Sequence, residues 1–281
     1  MIGEGYGKVI LFGEHFVVHG APALASGLPD IKTVLDVEEG EWNLDPQSTE
    51  ALSNITKALG LDKSFRIKWI EQVPPRANLG SSAAMAVAFT RALDKLYNLG
   101  LDDQKVFELS FEAERVFHGK PSGVDGACAT YGRPILYQKG KEIQLLPSPG
   151  LHLLIISARK KDKSTKELVE QFQHIKGKTP FFSRLWDEYM FIFESALQAI
   201  EEKNVQLLGR LMDYNHSLLS YFDLTTPEIE EIREQAKAYG ALGAKLTGAG
   251  KGGNIIALFP SKELALEAQE KLPWKSYYSF I

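Results

Sequence analysis

The sequence predicts a mixed α+β protein. Three observations carry that expectation: apolar strand-like runs near the start, helical periodicity through the middle and most of the last third, and a closing strand–helix–strand pattern. With 281 residues there is room for two medium domains or one large one, and an apolar share of 44% supports a substantial core. The net charge of −4 argues against a general nucleic-acid binder and leaves anionic small molecules open. The single cysteine, Cys128, rules out an internal disulfide or a cysteine-rich zinc site and suits a reducing cytoplasm. Residues 1–20 lack the pattern of a secretion signal, and no apolar run approaches the roughly 20 residues of a membrane span. The expectation is a soluble cytoplasmic protein.

Residues 5–12 read as a buried strand because Val9, Ile10, Leu11 and Phe12 run together. The run ends in Gly13-Glu14-His15, which delivers polar groups to a sheet edge or cleft. Lys8 stands inside it, and lysine is rarely buried unless paired. Residues 32–38 and 65–72 read as further strands, the second alternating Phe65, Ile67, Trp69. Then comes Pro74-Pro75-Arg76-Ala77-Asn78-Leu79-Gly80-Ser81-Ser82-Ala83-Ala84: a rigid entry, a glycine turn, two hydroxyls and a helix start reaching Tyr97. The free N–H groups of such a start attract anions, and serine hydroxyls can add bonds to phosphate or ligate magnesium. An ordinary N-cap is the plainer alternative.

Asp102 or Asp103 caps a second helix whose apolar face runs Val106, Phe107, Leu109, Ala113, Phe117, with Glu114 near its end. Glu108 and Glu112 read as a solvated face. Asp125 follows in a loop walled by Pro121, Gly123 and Gly126, either a fixed functional side chain or a turn former. Residues 134–138 and 152–157 read as strands, and Pro147-Ser148-Pro149-Gly150 between them marks a domain boundary, giving domains 1–148 and 149–281. Arg159-Lys160-Lys161-Asp162-Lys163-Ser164-Thr165-Lys166 is a cationic patch that either caps a helix or faces an anion. Residues 184–203, 204–221 and 226–239 are helical by period, and 254–259, 261–271 and 277–281 form the closing unit. The glycines at 248, 250 and 253 match a dinucleotide fingerprint only formally, because they lead into a strand rather than a helix.

Three separated motifs agree on one family. GKVILFGEHFVVHGAPALA from Gly7, PPRANLGSSAA from Pro74 and KLTGAGKGGNIIAL from Lys245 resemble the GHMP kinases, a family that includes galactokinase and the homoserine, mevalonate and phosphomevalonate kinases. ERVFHGKPSGVDGACATYG from Glu114 and KSTKELV from Lys163 resemble its mevalonate kinase branch. The matches span nearly the whole chain in family order. The resemblance implies a two-domain GHMP kinase fold: a ribosomal protein S5 domain 2-like N-terminal domain and a ferredoxin-like C-terminal domain, with ATP and substrate between them. It also implies that Pro75, Asn78, Leu79, Gly80, Ser81, Ser82 and Ala83 bind nucleotide and that Ser82 and Glu114 hold Mg²⁺. Asp125 would be the catalytic aspartate and Lys8 its cationic partner, with Glu14, His15, Thr165, Gly248 and Ala249 on the substrate side. The implied reaction is ATP-dependent phosphorylation of the 5-hydroxyl of mevalonate, by a homodimer without nucleic-acid or membrane partners. A related acceptor (phosphomevalonate or homoserine) and a binding-only sensor of the same fold are the competing readings.

The chemistry asks for such groups. Moving a γ-phosphoryl group to an alcohol needs an aligned hydroxyl and neutralised phosphate charge. Asp125 would take or orient the hydroxyl proton while Lys8 keeps that carboxylate ionised. Three positions depart from the family pattern. Asn78 and Lys251 stand where it usually has glycine, and Gly126 where mevalonate kinases usually show asparagine. His19, His118, His152, His174 and His216 are expected to be structural or surface residues, and Cys128 a packing residue.

Overall fold

A computed structural model describes residues 1–75, 78–119, 121–158 and 163–281. Strands β1 (Ile2–Phe12) and β2 (Ala23–Glu39) open the chain, joined through a 3-10 turn, Phe16–His19. β2 extends well before the expected residue 32, because Ser26, Gly27 and Pro29 hide its period in the sequence. Gly27 is required there: a Cβ would lie 2.5 Å from Cys128 O. The chain divides into two compact units, Met1–Lys8 with Ser26–Arg133, and Val9–Ala25 with Pro134–Ile281, so β1 and β2 each contribute to both.

The first unit adds α1 (Pro46–Ala58), β3 (Phe65–Glu71), α2 (Ser81–Tyr97), α3 (Asp103–His118) and α4 (Val124–Tyr131). Asp45 caps α1 through the amides of Gln47 and Ser48, and Asp102, rather than Asp103, caps α3 through Lys105 N. β3 pairs antiparallel with β2, Val37 opposite Ile67 and Leu35 opposite Trp69. Phe65 and Ile67 turn inward to meet Leu35, Leu52, Ile55, Phe89 and Leu93, whereas Trp69 leaves the core and is 36% exposed. Along β1 the small residues of α2 allow a close approach. A Cβ on Gly3 would meet Ala88 O at 2.0 Å, and one on Gly5 would meet Ala84 O at 2.2 Å. That packing sets the start of α2 beside Lys8, whose amide donates to Leu79 O.

The second unit holds β4 (Pro134–Tyr137), β5 (Gln144–Leu145) and β6 (His152–Ser157), then α5 (Thr165–Lys178), α6 (Phe182–Glu201), α7 (Val205–Ser220) and α8 (Pro227–Ala238). It closes with β7 (Gly243–Thr247), β8 (Asn254–Phe259), α9 (Lys262–Lys271) and β9 (Ser276–Phe280). One sheet runs β1-β2-β4-β5 with β3 also on β2, and the other runs β7-β8-β6-β9. In the latter, Ile155 faces Ile256 across β6 and β8, both strands being central and apolar. Phe16 packs among Phe172, Phe182, Trp186, Tyr189 and Phe222, its ring stacked 4.4 Å from that of Tyr189. Of the cationic patch, 159–162 lie outside the described residues, while Ser164 starts α5 in a capping box with Glu167. β7, which carries Lys245 to Thr247, was not expected as a strand. Five residues ending at a glycine are too short for a periodic signal.

Candidate active site

In the first unit, two helix starts converge on one lysine. Gly80 precedes α2 in the left-handed region (φ 73°), and among the described residues no side chain caps the helix. Asn78, two residues earlier, is also left-handed (φ 55°), which explains why glycine or asparagine suits this position. Gly123 precedes α4 in the same region, again without a side-chain cap, and Asp125 lies in the first turn. The expectation of a loop around Asp125 is thereby corrected: the aspartate is helical, and the glycine before it supplies the turn. Lys8 Nζ meets Asp125 Oδ1 at 2.9 Å, with side-chain exposures of 7% and 27%. The turn at Gly80 lies against both, because a Cβ there would meet Lys8 Cγ at 2.9 Å and Asp125 Oδ2 at 3.9 Å.

Ser82 Oγ, in the first turn of α2, donates to Glu114 Oε1 at 2.8 Å. Burial pushes Glu114 up to about 8, the charge of Asp125 adding to it while the Ser82 hydrogen bond and Lys8 oppose it. His118, one turn after Glu114, places Nε2 3.4 Å from Ser82 Oγ and 3.8 Å from Glu114 Oε2. His118, expected as a structural or surface residue, thus stands beside Ser82, on the same face of α3 as Glu114 by its i,i+4 spacing. Gly126, the departure beside Asp125, has a packing cause. A Cβ would lie 2.5 Å from Ser110 Oγ, so α4 rests directly on α3. Burial pushes the Cys128 thiol up, leaving it inert packing as expected.

The second unit gathers another set. His15 follows β1 with a strained backbone (φ 61°), and its Nε2–H donates to Ala249 O at 3.0 Å. Its ring stacks on Phe172 at 5.1 Å. Glu14 is buried and paired with Lys245 Nζ, itself fully buried, and the lysine also donates to Leu246 O at 2.8 Å. Burial lowers Lys245, with the charge of Glu14 working against that. Thr247 Oγ1 both accepts from Ile10 N and donates to Ile10 O, each at 3.0 Å, fixing β7 to β1. Thr165 stands exposed at the first position of α5, and Gly248 begins the glycine loop with φ 84°. Lys245 is the residue missed here, since a lysine in a motif gives no sign that its partner lies far back in the chain.

The structure thus brings Lys8, Gly80, Ser82, Glu114 and Asp125 together, and separately His15 with Ala249 and Glu14 with Lys245. Pro75 is exposed and Leu79 is buried. Arg76 and Ala77 of that motif lie outside the described residues.

Residues 48–133 match the GHMP kinases N terminal domain and residues 196–277 match GHMP kinases C terminal. The chain belongs to the GHMP kinases, phosphoryl-transferring enzymes, and has their α+β fold. Within the family its relatives are mevalonate kinases. The mevalonate kinase of Pyrococcus horikoshii is 33% identical over 91% of this chain and 88% of its own length. The crystal structure of L. major mevalonate kinase in complex with R-mevalonate superposes with a TM-score of 0.86 at 33% identity, covering 99% of this chain and 95% of that one. The Methanococcus jannaschii mevalonate kinase gives 0.84 at 26% identity, covering 100% and 98%.

Proposed function

We propose that this chain transfers the γ-phosphoryl group of ATP to the 5-hydroxyl of mevalonate, the opening phosphorylation of an isoprenoid route. The observation that carries the reading is the Lys8–Asp125 ion pair, 2.9 Å long and packed under the uncapped start of α2. Amides of Ser81, Ser82 and Ala83 and the serine hydroxyls receive phosphate oxygens at the positive end of the helix. Asp125 takes the proton as the acceptor oxygen bonds to phosphorus and the bond to the departing ADP oxygen breaks. Lys8 keeps a positive charge beside that carboxylate and beside the charge building on the phosphoryl group.

Magnesium fits the donors present. Ser82 and Glu114 offer hard oxygen ligands, and a buried carboxylate pushed up to about 8 is one that a cation would ionise. When bound, the ion neutralises phosphate charge. Among the described residues no group of three or more His, Cys, Asp or Glu side chains gathers to hold a metal. His15, Glu14, Thr165, Gly248 and Ala249 belong to acceptor recognition in this reading. The family's two domains are assigned to 1–148 and 149–281, and the working form to a cytoplasmic homodimer. Among the described residues no helix is long and apolar enough to cross a membrane.

A coupled ADP-release assay across mevalonate, phosphomevalonate and homoserine tests the proposal. Turnover with mevalonate at least tenfold above the other two is expected. Preference for another acceptor, or nucleotide binding with no transfer to any of them, would overturn it.

A further inference from the structure

Lys251 interrupts the glycine loop, and its surroundings differ from those of a phosphate ligand. Its backbone is left-handed (φ 51°), a conformation that costs a non-glycine residue energy. Its amide donates to Leu224 O at 2.6 Å, and its Nζ reaches Asp223 Oδ1 at 2.5 Å. Asp223, in the turn after α7, is itself left-handed (φ 53°). Two strained non-glycine residues in separate segments are therefore joined by one ion pair.

The aspartate is held in turn. Gln171 of α5 donates from Nε2 to Asp223 O at 2.9 Å and to Asp223 Oδ2 at 3.3 Å, and its Oε1 accepts from Lys163 Nζ at 2.7 Å. The loop also packs on the same turn, since a Cβ on Gly250 would lie 2.4 Å from Leu224 O. With Ala249 O accepting from His15, the loop is gripped at three successive residues.

We infer that Lys251 is a positioning residue. Through Asp223, and behind it Gln171 and Lys163, it fixes the 248–253 loop, whose Gly248 and Ala249 belong to acceptor recognition in the proposed reading, in its working shape before the acceptor arrives, and it does not itself touch the substrates. The inference rests on the proposed kinase reading and deepens it. The relay ties the loop to the start of α5, the segment that also carries Thr165. The side chain of Lys251 is 25% exposed and that of Asp223 65%, so the coupling is open to screening by salt.

The test compares wild type, Lys251→Ala, Asp223→Ala and the double variant by hydrogen exchange in the substrate-free protein and by mevalonate kinetics. Amides of the 248–253 loop should exchange about fivefold faster in each single variant, and in the double no faster than in either single. KM for mevalonate should rise about three- to tenfold in each, with kcat within about twofold. The charge swap, Lys251→Asp with Asp223→Lys, should recover most of the protection. A rise in KM with Lys251→Ala while Asp223→Ala behaves as wild type would mean the lysine acts on the substrate directly, and would overturn the inference. So would additive effects in the double variant, or faster exchange spread across α7 and β8. If the wild type fails to phosphorylate mevalonate, the function proposed above fails, yet the exchange measurements still decide the relay because they need no turnover.

Discussion

The contact between α3 and α4 behind Asp125 makes a sign-changing prediction. An ideal Cβ on Gly126 would stand 2.5 Å from Ser110 Oγ, while the nearest atoms of Phe107, at 3.5 and 3.6 Å, are in ordinary contact. Gly126→Ala gains about 1 kcal/mol of helix propensity and loses about 2–3 kcal/mol to overpacking, for a net loss of about 1–2 kcal/mol. Ser110 Oγ donates to Phe107 O within its own helix, so Ser110→Ala by itself costs less than about 1 kcal/mol. In the Ser110→Ala background the obstruction is gone, and Gly126→Ala should stabilise by about 1 kcal/mol. Urea unfolding of the four proteins measures the interaction, expected at roughly 2–3 kcal/mol. Turnover should follow the same pattern, falling in Gly126→Ala and returning in the double variant, because α4 carries Asp125. Equal effects of Gly126→Ala in both backgrounds would refute the packing argument, and with it the physical reason for glycine at this position.

Two further outcomes follow from the second unit. Lys245→Met breaks the buried Lys245–Glu14 pair and should cost about 3–5 kcal/mol in urea unfolding, much of it regained in Lys245→Met with Glu14→Met, whereas activity stays low in both. His216 is held neutral, pushed down to about 4 by burial first and Arg233 next, while its bond to Glu230 opposes both. A group lowered from 6.5 to about 4 contributes stability that is complete above pH 6.5 and lost as pH falls toward 4, up to about 3 kcal/mol. His216→Gln should flatten the stability profile over that window.

Much of the site was legible because its parts are local. The glycine, the two serines and the small residues of α2 announce a helix start that lies close to another backbone, and β1 is where it lies. Asn78 and Lys251 looked like departures from a glycine pattern. Their left-handed backbones show what the pattern encodes, and asparagine meets the need at little cost while Lys251 is joined to Asp223. What sequence could not give were partners far apart in the chain: Lys245 for Glu14, and Asp223 for Lys251. Asp125 was misread as a loop residue because glycines flank it on both sides, and the second of them serves helix packing rather than a turn.

The most direct measurement is the turnover of Asp125→Asn with saturating ATP and mevalonate, read beside the nucleotide-induced shift in melting temperature. The account predicts a fall in kcat of about 10²–10⁴ with the shift retained, since the proposed function has the carboxylate act on the proton and α2 hold the phosphates. Turnover within tenfold of wild type would contradict the role given to the Lys8–Asp125 pair.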